Sequence, residues 1–208
     1  MSPFLRLRPA MKLSKPLILA SRSPRRISLL RQIGLDPAVF PCEIPEDFDL
    51  SLDPSRNAGN LALQKARCVA GEVRDGIIIG ADTIVVIDGL MLGKPSDKAD
   101  ASRMLSLLSG RTHTVLTAFA VVERPSDRFI VDAETTLVTF RELPSDEIQE
   151  YVDGGSPMDK AGAYGIQDDY GAVFVTRIEG CFYNVVGLPL ARLYLRLTEM
   201  FGDVRDRG

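Results

Sequence analysis

Leu17-Ile18-Leu19-Ala20-Ser21-Arg22-Ser23-Pro24-Arg25-Arg26-Ile27-Ser28-Leu29-Leu30-Arg31 contains a strand, a turn and a helix start in one short run. Leu17 to Ala20 are apolar throughout, as in a strand buried on both faces. Ser23 precedes Pro24, and Ile27, Leu30 and Ile33 follow at helical spacing. Ser23 is therefore the expected N-cap, with Pro24 at the first helical position, where its missing N–H costs nothing. Gly34 is the expected stop. The first turn also holds Arg25 and Arg26 beside the Ser21 and Ser23 hydroxyls. Two guanidinium groups at the positive end of a helix suit an anion, a phosphate chain above all. A solvated basic helix start is the plainer alternative.

At 208 residues, with 45% hydrophobic and 25% charged residues, the chain has the composition of a soluble globular protein with one substantial core. A net charge of −3 argues against a general nucleic-acid or membrane-surface binder, so phosphate chemistry must rely on local positive charge. Cys42, Cys68 and Cys181 have neither zinc nor redox spacing and read as reduced thiols of a cytoplasmic protein. The single histidine, His113, opens a strand pattern, where a surface or hydrogen-bonding role is expected. Any metal would then be held by carboxylate and phosphate oxygens, which suits Mg²⁺ or Mn²⁺. No stretch reaches the ~18 apolar residues of a membrane-spanning helix. Residues 1–10 lack the apolar core of a secretory signal and are expected to be a disordered extension. Residues 11–208 then form a single catalytic domain.

Further along, the acidic segment Asp36–Asp53 reads as a loop or an irregular strand, followed by a helix over Ser55–Val73 with Lys65 on one face. Gly76–Ile87 is the most apolar segment and reads as a central strand, turning at Asp88-Gly89. A helix is expected over Asp97–Ser109, then a long hairpin of Thr112–Glu123 and Phe129–Phe140. Ser145 is the expected cap of a short helix, and a last helix runs from Gly187-Leu188-Pro189 to Phe201. These elements predict an α/β fold.

Asp82 is the sharpest chemical signal, because a lone carboxylate in so apolar a strand is expensive unless it is paired, metal-bound or catalytic. An Asp bonding its own backbone at a strand end is the structural alternative. Gly93-Lys94-Pro95 mimics the end of a phosphate loop but lacks its spacing and its Ser/Thr, and no G-x-G-x-x-G occurs. Lys160 and Gln167 lie in a Gly-rich loop. Gln167 carries both a donor and an acceptor, enough to read one edge of a base.

Together these residues resemble the Maf family of nucleoside triphosphate pyrophosphatases, once described as septum-formation inhibitors. The likeness rests on Ala20-Ser21-Arg22-Ser23-Pro24-Arg25-Arg26, Gly80-Ala81-Asp82-Thr83, Gly93-Lys94-Pro95 and Leu108-Ser109-Gly110-Arg111-Thr112-His113. Asp159-Lys160-Ala161-Gly162-Ala163-Tyr164-Gly165-Ile166-Gln167 and Val186-Gly187-Leu188-Pro189 complete it. The resemblance implies a mixed, strongly twisted sheet with flanking helices, and two lobes around a central cleft, of the Maf/ITPase-like type. It also implies a homodimer and metal-dependent cleavage of a nucleoside triphosphate to monophosphate and pyrophosphate. Asp82 would be the proton acceptor or a metal-linked acid, with Asp49 as a second metal ligand. Ser21, Ser23, Arg25 and Arg26 would grip the phosphates, assisted by Lys65, Lys94 and Lys160. Arg25 or Arg26, Thr83 and Gln167 match positions tied to base choice, in the form of the branch acting on dTTP and UTP rather than 7-methyl-GTP. Leu50 stands where the family pattern has Glu, so Asp49, Asp47 or Glu46 would have to substitute. Two rival readings remain: a nucleotide-sensing regulator of septum formation with little turnover, and a phosphatase releasing orthophosphate.

Overall fold

The computed structural model describes residues 13–42, 44–167 and 170–202. The expected disordered extension, residues 1–10, lies outside them. Among the described residues are seven strands in one mixed sheet and six α-helices. In chain order they are β1 (Leu17–Leu19), α1 (Pro24–Gln32), β2 (Ala38–Val39), α2 (Pro54–Glu72), β3 (Gly76–Ile87) and β4 (Leu90–Leu92). There follow α3 (Lys98–Leu108), β5 (Thr112–Arg124), β6 (Phe129–Phe140), α4 (Ser145–Asp153), β7 (Val175–Glu179), α5 (Phe182–Val186) and α6 (Leu190–Phe201). The sheet order is β2-β1-β3-β5-β6-β7, with the short β4 also paired to β3. β1 runs parallel to β2 and β3, while the other pairs are antiparallel.

The opening run folds as its residues dictate. Ser23 Oγ accepts from Arg26 N, and Pro24 occupies the first helical position. At the other end Gly34 takes φ 81°, its N–H donates to Arg31 O, and Leu35 N–H reaches back to Leu30 O. That is a Schellman stop, and Leu35 is buried, as the residue after the glycine usually is. α2 repeats this start with Asp53 as the cap and Pro54 first. Ser145 departs from expectation: α4 begins on it, Pro144 stands at the cap position, and no side chain caps the helix. The acids Asp146 and Glu147 in the first turn complement the dipole instead. α5 has no apolar periodicity of its own in the sequence and is fixed by tertiary contacts.

Three apolar clusters build the core. α1 and α6 cover one face of the sheet, on Leu19, Ile79, Phe119 and Val121. α2 covers the other, on Ile78, Ile84, Ala118 and Ala120. α3 and α4 pack on the far ends of the long strands, around Val85, Val115, Val138 and Phe140. A cleft opens between this last cluster and the first two.

Gly80 sets how closely α2 approaches. A Cβ there would run into the Ala62 carbonyl and lie 2.7 Å from Ala66 N, so only glycine lets the helix rest on the strand. The reduced-thiol reading is corrected for two of the three cysteines. Cys42 and Cys68 form a disulfide with Cα atoms 6.3 Å apart, and only Cys181 is free. Spacing in the sequence could not show this, because the loop folds back onto the helix.

Candidate active site

β1 ends at Leu19 and β4 pairs β3 only from Val85 onward. Between them, residues 80–84 of β3 have β5 on one side and no strand on the other among the described residues. Successive side chains of a strand point to opposite faces, yet at this open edge both Asp82 and Thr83 border one cavity of about 740 Å³. Ser21, Ser23, Arg25, Arg26, Lys65, Lys94, Lys160 and Gln167 line it too.

Asp82 faces α2 and is buried. Lys65 Nζ donates to Asp82 Oδ1 at 2.6 Å and to Glu46 Oε1 at 2.7 Å, and Lys94 Nζ donates to Glu46 Oε2 at 2.8 Å. Lys65 on a helix face reads as a solvent-exposed residue, but it is buried, as is Asp82, while its other partner Glu46 stays exposed. Burial pushes the Asp82 carboxyl above its ordinary value, against the pull of Lys65 and Arg26. Burial would raise Glu46 as well, but the hydrogen bonds from Lys65 and Lys94 outweigh it and hold that carboxyl at about 2. One carboxylate is thus disposed to take a proton while its neighbour stays ionised.

Asp49 does not join them. It is exposed, its Oδ1 accepts from Ser51 N and Ser51 Oγ, and it is not among the residues lining the cavity. Leu50 is 88% exposed and also absent from the lining, so the departure from the family pattern falls outside the site. Glu46 supplies the second carboxylate. Two anchors deliver it: Phe48, packed against the α2 core, and buried Asn57, which accepts from Asp49 N and donates to the carbonyls of Asp49, Leu52 and Asp53. An acid two residues before an aromatic anchor was the available sequence signal.

The two arginines divide. Arg25 crosses the cleft, where Nη1 donates to Asp159 Oδ2 at 3.0 Å, and Lys160 Nζ donates to Asp159 Oδ1 at 2.8 Å. Arg26 turns inward. Its Nε donates to Gly187 O (2.9 Å), its Nη1 to Ala81 O (2.9 Å) and Ser21 Oγ (3.3 Å), and its Nη2 to Thr83 Oγ1 (3.1 Å). Ala81 O is a carbonyl that the open edge of β3 leaves without a strand partner. Ser21 and Ser23 act only as acceptors here, which leaves both hydroxyl protons for a ligand.

His113 is a buried core residue rather than a surface one, 2.8 Å from Tyr164 Oη through Nε2. Burial lowers its pKa to about 4. Among the described residues no group of three or more His, Cys, Asp or Glu side chains could hold a metal ion. Asp82 and Glu46 alone fit a Mg²⁺-type ion, which takes one or two carboxylates and completes its shell with substrate phosphates and water.

A family model described as Maf-like protein matches residues 16–200. A dTTP/UTP pyrophosphatase of Moorella thermoacetica is 50% identical over 192 residues, covering 92% of this chain and 98% of that protein. A dTTP/UTP pyrophosphatase of Carboxydothermus hydrogenoformans is 49% identical, covering 87% and 96%. One of Caldicellulosiruptor saccharolyticus is 43% identical, covering 91% and 97%.

Proposed function

This chain belongs to the Maf family, and from that premise we propose that it hydrolyses dTTP and UTP to the monophosphate and pyrophosphate. The observation that carries the reading is a buried carboxylate, Asp82, held by Lys65 in a cavity that also contains a cation-rich helix N-terminus. A base and a phosphate cradle share one space there.

In this reading Asp82 accepts a proton from the water that attacks the α-phosphorus, a task for which burial raises its proton affinity. The uncommitted hydroxyls of Ser21 and Ser23, the N-terminus of α1 and Arg25 hold the triphosphate. The triphosphate takes Arg25 from Asp159, its partner across the cleft, and Lys160 from the same carboxylate, its neighbour in the chain. Lys94 neutralises charge on the departing pyrophosphate. Asp82 and Glu46 are the side chains that would hold Mg²⁺ or Mn²⁺, which when bound polarises phosphate oxygens. Arg26, Thr83 and Gln167 form the corner that reads the base.

Cytoplasmic placement, which rests on the family and not on the thiols, a homodimer and the absence of nucleic-acid and membrane partners complete the proposal. No described helix is long and apolar enough to cross a membrane. The test is product analysis with Mg²⁺ and a panel of dTTP, UTP, CTP, ATP and GTP. Pyrophosphate with dTMP and UMP is expected. Orthophosphate as the first product would overturn attack at the α-phosphorus.

A further inference from the structure

Behind the base-reading corner lies a buried chain of hydrogen bonds whose direction can be worked out atom by atom. Thr83 and Thr117 are direct cross-strand partners of β3 and β5, with hydroxyl oxygens 3.0 Å apart. Thr117 is fully buried. Its Oγ1 also lies 2.8 Å from the main-chain carbonyl of Asn184. A carbonyl can only accept, and a threonine hydroxyl has one proton and two lone pairs. The Thr117 proton therefore goes to Asn184 O, and towards Thr83 the Thr117 oxygen can only accept. The Thr83 proton is then committed inward to Thr117. Arg26 can only donate, so its Nη2 bond fills one Thr83 lone pair.

The result is an oriented relay, Arg26 to Thr83 to Thr117 to Asn184 O. Asn184 is itself immobilised: its side chain accepts from Thr117 N and donates to Val115 O and Thr136 Oγ1. Three residues on, Gly187 O fixes Arg26 Nε. The short helix α5 and the glycine that follows it thus hold both ends of the relay. Of the five N–H groups of Arg26, four are taken by protein and one on Nη2 remains.

We propose that Thr117 is a specificity-determining positioning residue, which locks Thr83 as a hydrogen-bond acceptor towards the base. This rests on the pyrophosphatase reading above. A locked acceptor beside one free N–H matches an imide edge, the N3–H and carbonyl of uracil or thymine. In the register that places position 3 of the ring on Thr83, it mismatches cytosine, whose unprotonated N3 needs a donor where Thr83 can offer none. Releasing the Thr83 proton from Thr117 lets the hydroxyl turn and donate, and the discrimination against cytosine is lost.

The experiment measures kcat/KM for UTP and CTP by pyrophosphate release in the wild type, Thr117→Val and Thr117→Ser. Valine keeps the shape and removes the acceptor, whereas serine keeps the hydroxyl. The UTP/CTP ratio should fall by about tenfold or more in Thr117→Val, the size of one misdirected buried hydrogen bond, and should return in Thr117→Ser. An unchanged ratio in folded Thr117→Val overturns the relay and leaves the pyrophosphatase reading intact. So does a wild type that cleaves UTP and CTP equally, or a serine variant that loses the ratio as fully as valine. A wild type that releases no pyrophosphate overturns both. Should Thr117→Val not fold, Thr117→Cys carries the same test, because a thiol is only a weak acceptor.

Discussion

Lys65 Nζ lies 2.6 Å from Asp82 Oδ1, and both side chains are buried. α2 reaches this position only because Gly80, two residues before Asp82 on the same face of β3, has no side chain. The carboxylate thus faces an ammonium partner, which opposes the effect of burial and which the backbone itself brings into range. Asp82→Asn should lower kcat by about 10²–10⁴-fold, the usual worth of a general base, while dTTP still binds in calorimetry. Lys65→Met should fall in the same direction, because Asp82 without its ammonium partner takes up a proton. Near-normal turnover in Asp82→Asn would remove it as the base.

Glu46 and Leu50 make opposite predictions from the same acidic loop. Glu46 bridges Lys65 and Lys94, whereas Leu50 is 88% exposed. Glu46→Gln should raise the Mg²⁺ concentration needed for half-maximal rate by about tenfold, the lower end of what a metal-supporting group is worth. Leu50→Glu should leave the metal titration curve where it was. A shift in the second variant and none in the first would reverse the assignment.

The Cys42–Cys68 disulfide ties the loop that carries Glu46 to the helix that carries Lys65, across 26 residues of sequence. Closing a loop of that size restricts the unfolded chain by about 3 kcal/mol. Urea denaturation with a dithiol reductant should show that loss. Cys68→Ala should show it without reductant, and no further change when reductant is added. An equal reductant effect in both proteins would place the effect elsewhere.

His113 predicts a pH dependence of stability. Its folded pKa of about 4 lies below the ordinary 6.5, so the unfolded chain binds the proton more readily. Stability from this residue is complete above the unfolded value and declines as pH falls from 6.5 towards 4. Between pH 7 and pH 5 the loss should be about 2 kcal/mol in chemical denaturation. The slope in that interval should flatten in His113→Gln, which does not titrate. The site would feel this loss early, because His113 bonds Tyr164 in the loop that carries Lys160 and Gln167.

The sequence by itself determined the local elements. Ser23-Pro24 and Asp53-Pro54 start helices because cap and fixed φ act within one turn, and Gly34 stops one for the same reason. The apolar run Gly76–Ile87 and the hairpin Thr112–Phe140 follow from periodicity over neighbouring residues. The motifs also pointed to Asp82, Lys65, Lys94, Arg25, Arg26, Thr83 and Gln167, all of which line one cavity.

Only the tertiary structure decided what these residues do to one another. It put Glu46 rather than Asp49 in the cleft, because Phe48 and Asn57 fix the loop through contacts that its own composition does not reveal. It divided two adjacent arginines between a cleft-crossing ion pair and a buried network. It buried Thr117 and Asn184, whose roles depend on strand register and on α5. Periodicity and capping are set by neighbours within a turn or two of chain. A hydrogen-bond partner 67 residues away, as Asn184 is from Thr117, is set by how the sheet and helices pack.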